Sequence, residues 1–327
     1  MVALQPLWVI IHRMSHLQII VPVFNEQEVV DLFYEKMNQI LISCDVEWTI
    51  LFVDDGSTDG TVQHIEFLRH KDNRVGFITL SRNFGKEYAL TAGLDHADAD
   101  VVVVIDVDLQ DPPELIPLML DEWHKGYDVI YATRKARAGE TLLKKATASW
   151  FYKLINKMSK ISIPKDTGDY RLMDIKAVKA INKLRESNRF MKGIFAWVGY
   201  KQKALYFERK ERAAGITKFN MRKLFSFAMD GITSFSYVPL KFATWIGTTV
   251  AFLSFLYGIK VIFKALLFGG DPQGYPTMMV VILFLGGIQL MALGIIGEYL
   301  GRLFEENKQR PLYLIDKYQP PNKKDDL

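Results

Sequence analysis

Three acidic clusters in the first third of the chain stand where chemistry could be done: Asn25-Glu26, Asp54-Asp55 and Asp106-Val107-Asp108. Carboxylates one residue apart, as in Asp106 and Asp108, can share a divalent ion if the backbone bends out of a strand at that point. Hard cations such as Mg²⁺ take oxygen ligands, commonly one or two carboxylates plus substrate phosphates. Surface loops carry Asp-x-Asp often, so the setting matters: four consecutive valines, Val101 to Val104, precede the pair and Pro112-Pro113 follows it. Two carboxylates facing a pyrophosphate would repel it without a metal between them.

The elements that must hold these clusters are legible as apolar runs. Leu17 to Val23, Trp48 to Val53, Val75 to Leu80 and Val101 to Ile105 each read as a buried parallel strand, and each runs into polar or acidic residues. Asn25 with Glu28 three positions on has the spacing of a capping box, which predicts a helix starting there. Strands alternating with helical stretches imply right-handed crossovers and a doubly wound sheet. Ligands bind such sheets at the carboxyl ends of the strands, where the acidic clusters fall.

The chain has 327 residues, 49% hydrophobic and 24% charged, which excludes a disordered or fibrous class and leaves room for a large core. Its net charge of +4 is too small to argue for nucleic acid. One cysteine, Cys44, excludes an intrachain disulfide and a cysteine zinc cage. From Phe242 to Ile259 and from Pro272 to Gly297 no residue is charged. Such runs match the roughly 20 residues that cross a bilayer as a helix, and Gly247, Gly286, Gly287 and Gly294 dot them as in packed membrane helices, a composition that also permits a homo-oligomer. Arg222, Lys223 and Lys241 precede the first run and Arg302, Lys308, Arg310 and Lys317 follow the second, against Lys260 and Lys264 between them, which places both ends in the cytoplasm. The Leu7 to Ile11 patch is too short for an export signal. The expected organisation is an N-terminal extension (1–16), an α/β domain (17–218), an amphipathic segment in the headgroup layer or against that domain (219–240), a transmembrane hairpin (241–301) and a cytoplasmic tail (302–327) that is loose from Pro320 onward.

Val21-Pro22-Val23-Phe24-Asn25-Glu26, Val53-Asp54-Asp55-Gly56-Ser57-Thr58-Asp59-Gly60 and Asp106-Val107-Asp108-Leu109-Gln110-Asp111-Pro112-Pro113-Glu114 together resemble the inverting family 2 glycosyltransferases. Within that family, Leu80-Ser81-Arg82-Asn83-Phe84-Gly85-Lys86, Thr167-Gly168-Asp169-Tyr170-Arg171-Leu172-Met173-Asp174 and Gly297-Glu298-Tyr299-Leu300-Gly301-Arg302 resemble the polyprenyl-phosphate enzymes, the bactoprenol glucosyltransferases of O-antigen modification above all. The resemblance implies a GT-A fold, which is α/β and Rossmann-like with a mostly parallel sheet, followed by an interfacial helix and two transmembrane helices. It implies that Pro22, Phe24, Glu26, Val53 and Asp55 contact the base and ribose of a nucleotide-sugar, and that Asp106, Val107 and Asp108 line the same site. Asp106 and Asp108 would hold Mg²⁺ or Mn²⁺. Arg134, Arg212 and Lys218 would engage diphosphate or acceptor phosphate.

Asp108 and Asp169 are the residues the resemblance makes catalytic, Asp169 either as a base or as a group that orients the acceptor or nearby cations. Residue type alone also lets Phe24 pack, Glu26 cap a helix and Arg134 lie solvated. The implied reaction moves a hexose, glucose from UDP-glucose, to undecaprenyl phosphate on the cytoplasmic face of a bacterial inner membrane. Another sugar, such as mannose or an aminoarabinose derivative, stays open, as does a noncatalytic nucleotide-binding scaffold, against which the Asp106 and Asp108 pair speaks. A processive polysaccharide synthase is disfavoured because the chain has no Gln-x-x-Arg-Trp motif.

Overall fold

The structure, a computed structural model, describes residues 15–134, 167–207, 238–268 and 274–322. Its first strand, β1 (His16–Val23), is buried at every position. Leu17, Ile19 and Val21 join one hydrophobic cluster and Ile20 a second on the opposite face. Both faces being covered explains the unbroken apolar run. The same holds for β2 (Glu47–Asp54), β3 (Val75–Leu80) and β4 (Val101–Val104), which lie parallel in the order β4-β1-β2-β3.

Helices α1 (Val30–Leu41), α2 (Thr61–Lys71), α3 (Lys86–Asp95) and α4 (Ile116–His124) connect and cover these strands. Then come β5 (Val129–Arg134), β6 (Thr167–Asp174), α5 (Ile175–Ile181), α6 (Met191–Trp197) and β7 (Gln202–Phe207). With β8 (Ile315–Gln319) the sheet order is β7-β5-β6-β4-β1-β2-β3-β8. β6 runs antiparallel between β4 and β5, β8 runs antiparallel beside β3, and the other pairings are parallel. The sheet is the mostly parallel, doubly wound one expected.

Helix α1 does not begin at Asn25. Asn25 takes a positive φ of 54°, and a turn in which Val29 and Val30 donate to the Glu26 carbonyl comes before the helix at Val30. The capping-box spacing is overridden because the Asn25 side chain is used elsewhere: its Oδ1 accepts from the Thr58 N–H at 2.9 Å.

Two long helices, α7 (Val238–Phe268) and α8 (Tyr275–Asn307), pack against each other. Each contains a stretch long and apolar enough to cross a membrane, Leu240–Lys260 and Val280–Asn307. A Cβ built at Gly247, Gly286, Gly287 or Gly294 meets nothing within 4 Å, so these glycines do not mark the contact between the two helices. The headgroup segment expected at 219–240 lies outside the described residues through position 237, with its last three positions opening α7, and the extension lies outside them through position 14. The stretch expected as a tail is instead structured through Asn322: β8 pairs with the β3 edge, and Asn322 N–H donates to the Asn73 carbonyl at 2.9 Å.

Helix α3 lies on β1 and β2 and reaches them because position 93 has no side chain: a Cβ there would sit 2.4 Å from Ile20 Cγ2 and 3.1 Å from Val53 Cγ2. Gly93→Val should therefore lower stability by about 2 kcal/mol through overpacking, measured as a drop in the thermal unfolding midpoint of the full chain; an unchanged midpoint would show that α3 is free to move off the sheet.

Candidate active site

A cleft of about 440 Å³ opens at the carboxyl ends of the central parallel strands, where the strand order reverses between β1 and β4. β1 and its loop contribute Pro22, Val23, Phe24 and Glu26, and the turn after β2 contributes Asp55. The β3 loop adds Asn83, Gly85 and Lys86, and the β4 loop adds Asp106, Val107 and Asp108.

Local sequence shapes each wall. Asp54, 2% exposed, accepts from the Gly56 and Ser57 N–H groups at 3.2 and 3.1 Å, folding the chain sharply after β2. Gly56 takes a φ of +72°, and a Cβ there would stand 2.5 Å from the Arg82 carbonyl carbon, so only glycine lets this turn meet the β3 loop. Asp55 then receives the Phe84 N–H at 2.7 Å and the Gly85 N–H at 2.9 Å. Burial pushes both aspartic carboxyls above the usual range while these N–H groups pull them back. After β4, Leu109 adopts a φ of +55° and Asp108 Oδ1 accepts from the Gln110 N–H at 3.1 Å, which supplies the bend the Asp-x-Asp reading required.

At the floor lies a cation between carboxylates. Lys86 Nζ is 2.7 Å from Asp106 Oδ1 and 2.7 Å from Asp169 Oδ2. Burial opposes the lysine charge, but the two aspartates outweigh it and raise the ammonium above its ordinary range. Burial likewise opposes the Asp169 charge, yet Lys86, with Lys192 and Arg171 nearby, holds that carboxyl down at about 2. Arg171 fixes the backbone beneath it, donating to the Gly168 and Asp169 carbonyls at 2.8 and 3.1 Å while its guanidinium stacks 3.6 Å over the Phe195 ring. Next to Lys86, Glu87 accepts from the Met191 N–H at 3.2 Å. Burial first, then the Asp169 charge, raises Glu87 to about 7.

The oxygens here suit a hard divalent ion. Gln110 Oε1 and Asp169 Oδ1 are buried and receive no hydrogen bond, while both Asp106 oxygens face the Lys86 ammonium. Among the described residues no three His, Cys, Asp or Glu side chains form a metal cage. A two-carboxylate set suits an ion that arrives with phosphate oxygens completing its shell.

Of the expected residues, Pro22, Phe24, Glu26, Asp55, Asp106, Val107 and Asp108 line one cleft, and Asp169 reaches it through Lys86. Phe24 is 43% exposed, which sets aside a packing role. The Val53 side chain is fully buried in the cluster it shares with Ile20 and Leu51 and takes no part in the lining. Arg134 lies at the end of β5 with Nη2 3.7 Å from Asp111 Oδ1. Arg212 and Lys218 lie outside the described residues. Lys86 sits in a motif quoted above, but sequence reading gave it no role. A signal was present: a lysine at the first position of a helix opposes the helix dipole and calls for a compensating anion.

Two outcomes test this geometry. Lys86→Met leaves Asp106 and Asp169 facing each other and should cut turnover by about 100-fold or more, with Lys86→Arg recovering part of it; an unchanged rate would remove Lys86 from the site. Because the Glu87 proton is held more tightly in the fold than in the open chain, its ionisation costs stability, present at pH 4 and lost as pH rises through 7. Glu87→Gln should accordingly raise the unfolding midpoint over wild type at pH 8 but not at pH 5, and a pH-independent difference would contradict the raised value.

Comparison with known proteins adds the family. Residues 18–181 match the family model described as glycosyl transferase family 2, and residues 238–303 match the GtrB C-terminal hairpin. The bactoprenol glucosyl transferase of Shigella phage SfV is 48% identical over 299 residues, 91% of this chain and 97% of that protein. A prophage bactoprenol glucosyl transferase homolog of Escherichia coli (strain K12) is 46% identical over 91% of this chain and 98% of its own length. An uncharacterized glycosyltransferase of Synechocystis sp. is 49% identical over 91% and 94%. With half of its length matched by that family model and relatives nearly half identical over nine-tenths of it, the chain belongs to glycosyl transferase family 2.

Proposed function

We propose that this enzyme transfers glucose from UDP-glucose, with inversion, to undecaprenyl phosphate at the cytoplasmic face of a bacterial membrane, for O-antigen or other envelope glycan modification. The observation that carries this reading is the joining of a cleft rich in fixed charge to two helices long enough to cross a bilayer. The names of the phage and Escherichia coli relatives support a glucosyl group and a bactoprenol acceptor. A polyprenyl tail cannot leave the bilayer cheaply, at roughly 0.8 kcal/mol per CH₂, so a cleft tethered to the membrane is what this acceptor demands.

The chain's residues divide the work. Phe24 offers an exposed ring, and Glu26 an acceptor, to the base and ribose. Asp106 and Asp108 would hold Mg²⁺ or Mn²⁺, which supplies charge neutralisation for the departing diphosphate. Lys86 and Arg134, with Arg212 and Lys218 proposed alongside, answer the remaining phosphate charge. A lipid phosphate monoester has its second pKa near 6, so the nucleophile is mostly ionised at neutral pH and needs no strong base. Asp169, held at about 2, is a weak proton acceptor. It acts by fixing Lys86 where phosphate charge gathers, leaving the acceptor oxygen to attack the anomeric carbon opposite the leaving group.

Vesicles carrying the enzyme, incubated with labelled UDP-glucose and undecaprenyl phosphate, should yield labelled lipid that disappears with chelator and with Asp108→Ala. Absence of label in lipid from wild type would refute the function. Asp169→Asn should leave partial activity with an unshifted pH profile between pH 6 and 8; near-complete loss with a displaced profile would assign it the base role instead.

A further inference from the structure

Helix α8 continues past the point where its charge pattern leaves the membrane. It spans Tyr275–Asn307, about 50 Å at 1.5 Å per residue, whereas the hydrocarbon core is about 30 Å thick. Its last turns carry Glu298, Arg302, Glu305 and Glu306 and stand beyond the uncharged run as a stiff extension. At the tip, Glu306 Oε1 accepts from the Ser187 N–H at 2.6 Å and Oε2 from the Ser187 hydroxyl at 3.3 Å. The Ser187 carbonyl in turn accepts from the Tyr88 hydroxyl at 2.8 Å. Tyr88 lies in the first turn of α3, the turn that begins with Lys86.

The chain leaving α8 then grips the far end of the same helix. The Tyr313 hydroxyl donates to Asp95 Oδ2 at 2.7 Å, and the Leu314 carbonyl accepts from the Ser81 N–H at 2.9 Å, at the start of the loop that carries Lys86. Helix α3 is thus held at both ends by the segment that emerges from the second long helix.

We propose that Glu306, acting through Ser187 and Tyr88, is a positioning residue that sets the height and tilt of the cleft over the membrane surface. The inference rests on the lipid acceptor proposed above. A phosphate confined to the headgroup layer cannot adjust its depth freely, so the cleft must be held at that depth, and a displacement of about 1 Å can cost a hundredfold in rate. A rigid helix with a bidentate carboxylate clamp does this; a loose tether would not.

The test uses the full chain reconstituted in vesicles. Glu306→Ala should lower kcat/KM for undecaprenyl phosphate about tenfold while a short water-soluble prenyl phosphate is used nearly as well as by wild type. The Kd for UDP should be unchanged, and Glu306→Gln, which keeps an acceptor for the Ser187 N–H, should restore the long-chain rate. Tyr88→Phe, which removes one hydroxyl, should show the same acceptor-dependent loss and serves if Glu306→Ala fails to fold. Equal losses on both acceptors, or no loss on either, would overturn the clamp. Should wild type label no lipid at all, the functional reading fails separately, and the clamp is judged by amide exchange over residues 186–190, which must accelerate in Glu306→Ala; unchanged exchange would overturn it.

Discussion

The arrangement turns on one ammonium group held between two carboxylates at the floor of the cleft. Lys86 begins α3, Asp106 lies in the loop after β4, and Asp169 lies on β6. Their closure at 2.7 Å on either side of Nζ brings a helix start, a loop and a strand to one point. Unpaired, two aspartates so placed would repel each other and any incoming phosphate. With the lysine between them the floor is fixed yet still open to the cleft, a suitable base for binding a diphosphate with a divalent ion.

Supporting contacts are mostly main-chain ones. Asp54 and Asp55, which look like ligand carboxylates in a linear motif, spend their oxygens on the N–H groups of Gly56, Ser57, Phe84 and Gly85. Asp55 lines the cleft while locking the loop that presents Lys86. Arg171 likewise braces the carbonyls beside Asp169. Preorganisation of this kind lets fixed charges act without rearranging as the reaction proceeds.

Much of the fold was legible because strands buried on both faces leave continuous apolar runs, as Leu17 to Val23 and Val101 to Val104 do, and acidic residues at their ends mark the cleft. What escaped reading depended on partners distant in sequence. β8 is short, charged and exposed along Ile315 to Tyr318, a good edge strand for avoiding unwanted pairing and therefore without an apolar signature. Asn25 has the look of a helix cap, yet its side chain binds Thr58, across the mouth of a neighbouring loop. Lys86 has meaning only when Asp106 and Asp169, 20 and 83 positions away by subtraction of their numbers, stand beside it.

The most direct measurement is anomalous diffraction from crystals of the full chain grown with UDP and Mn²⁺. A manganese peak within coordination distance of both Asp106 and Asp108, with the diphosphate beside Lys86, is the predicted result. Manganese and diphosphate bound together away from Asp108 would contradict the account.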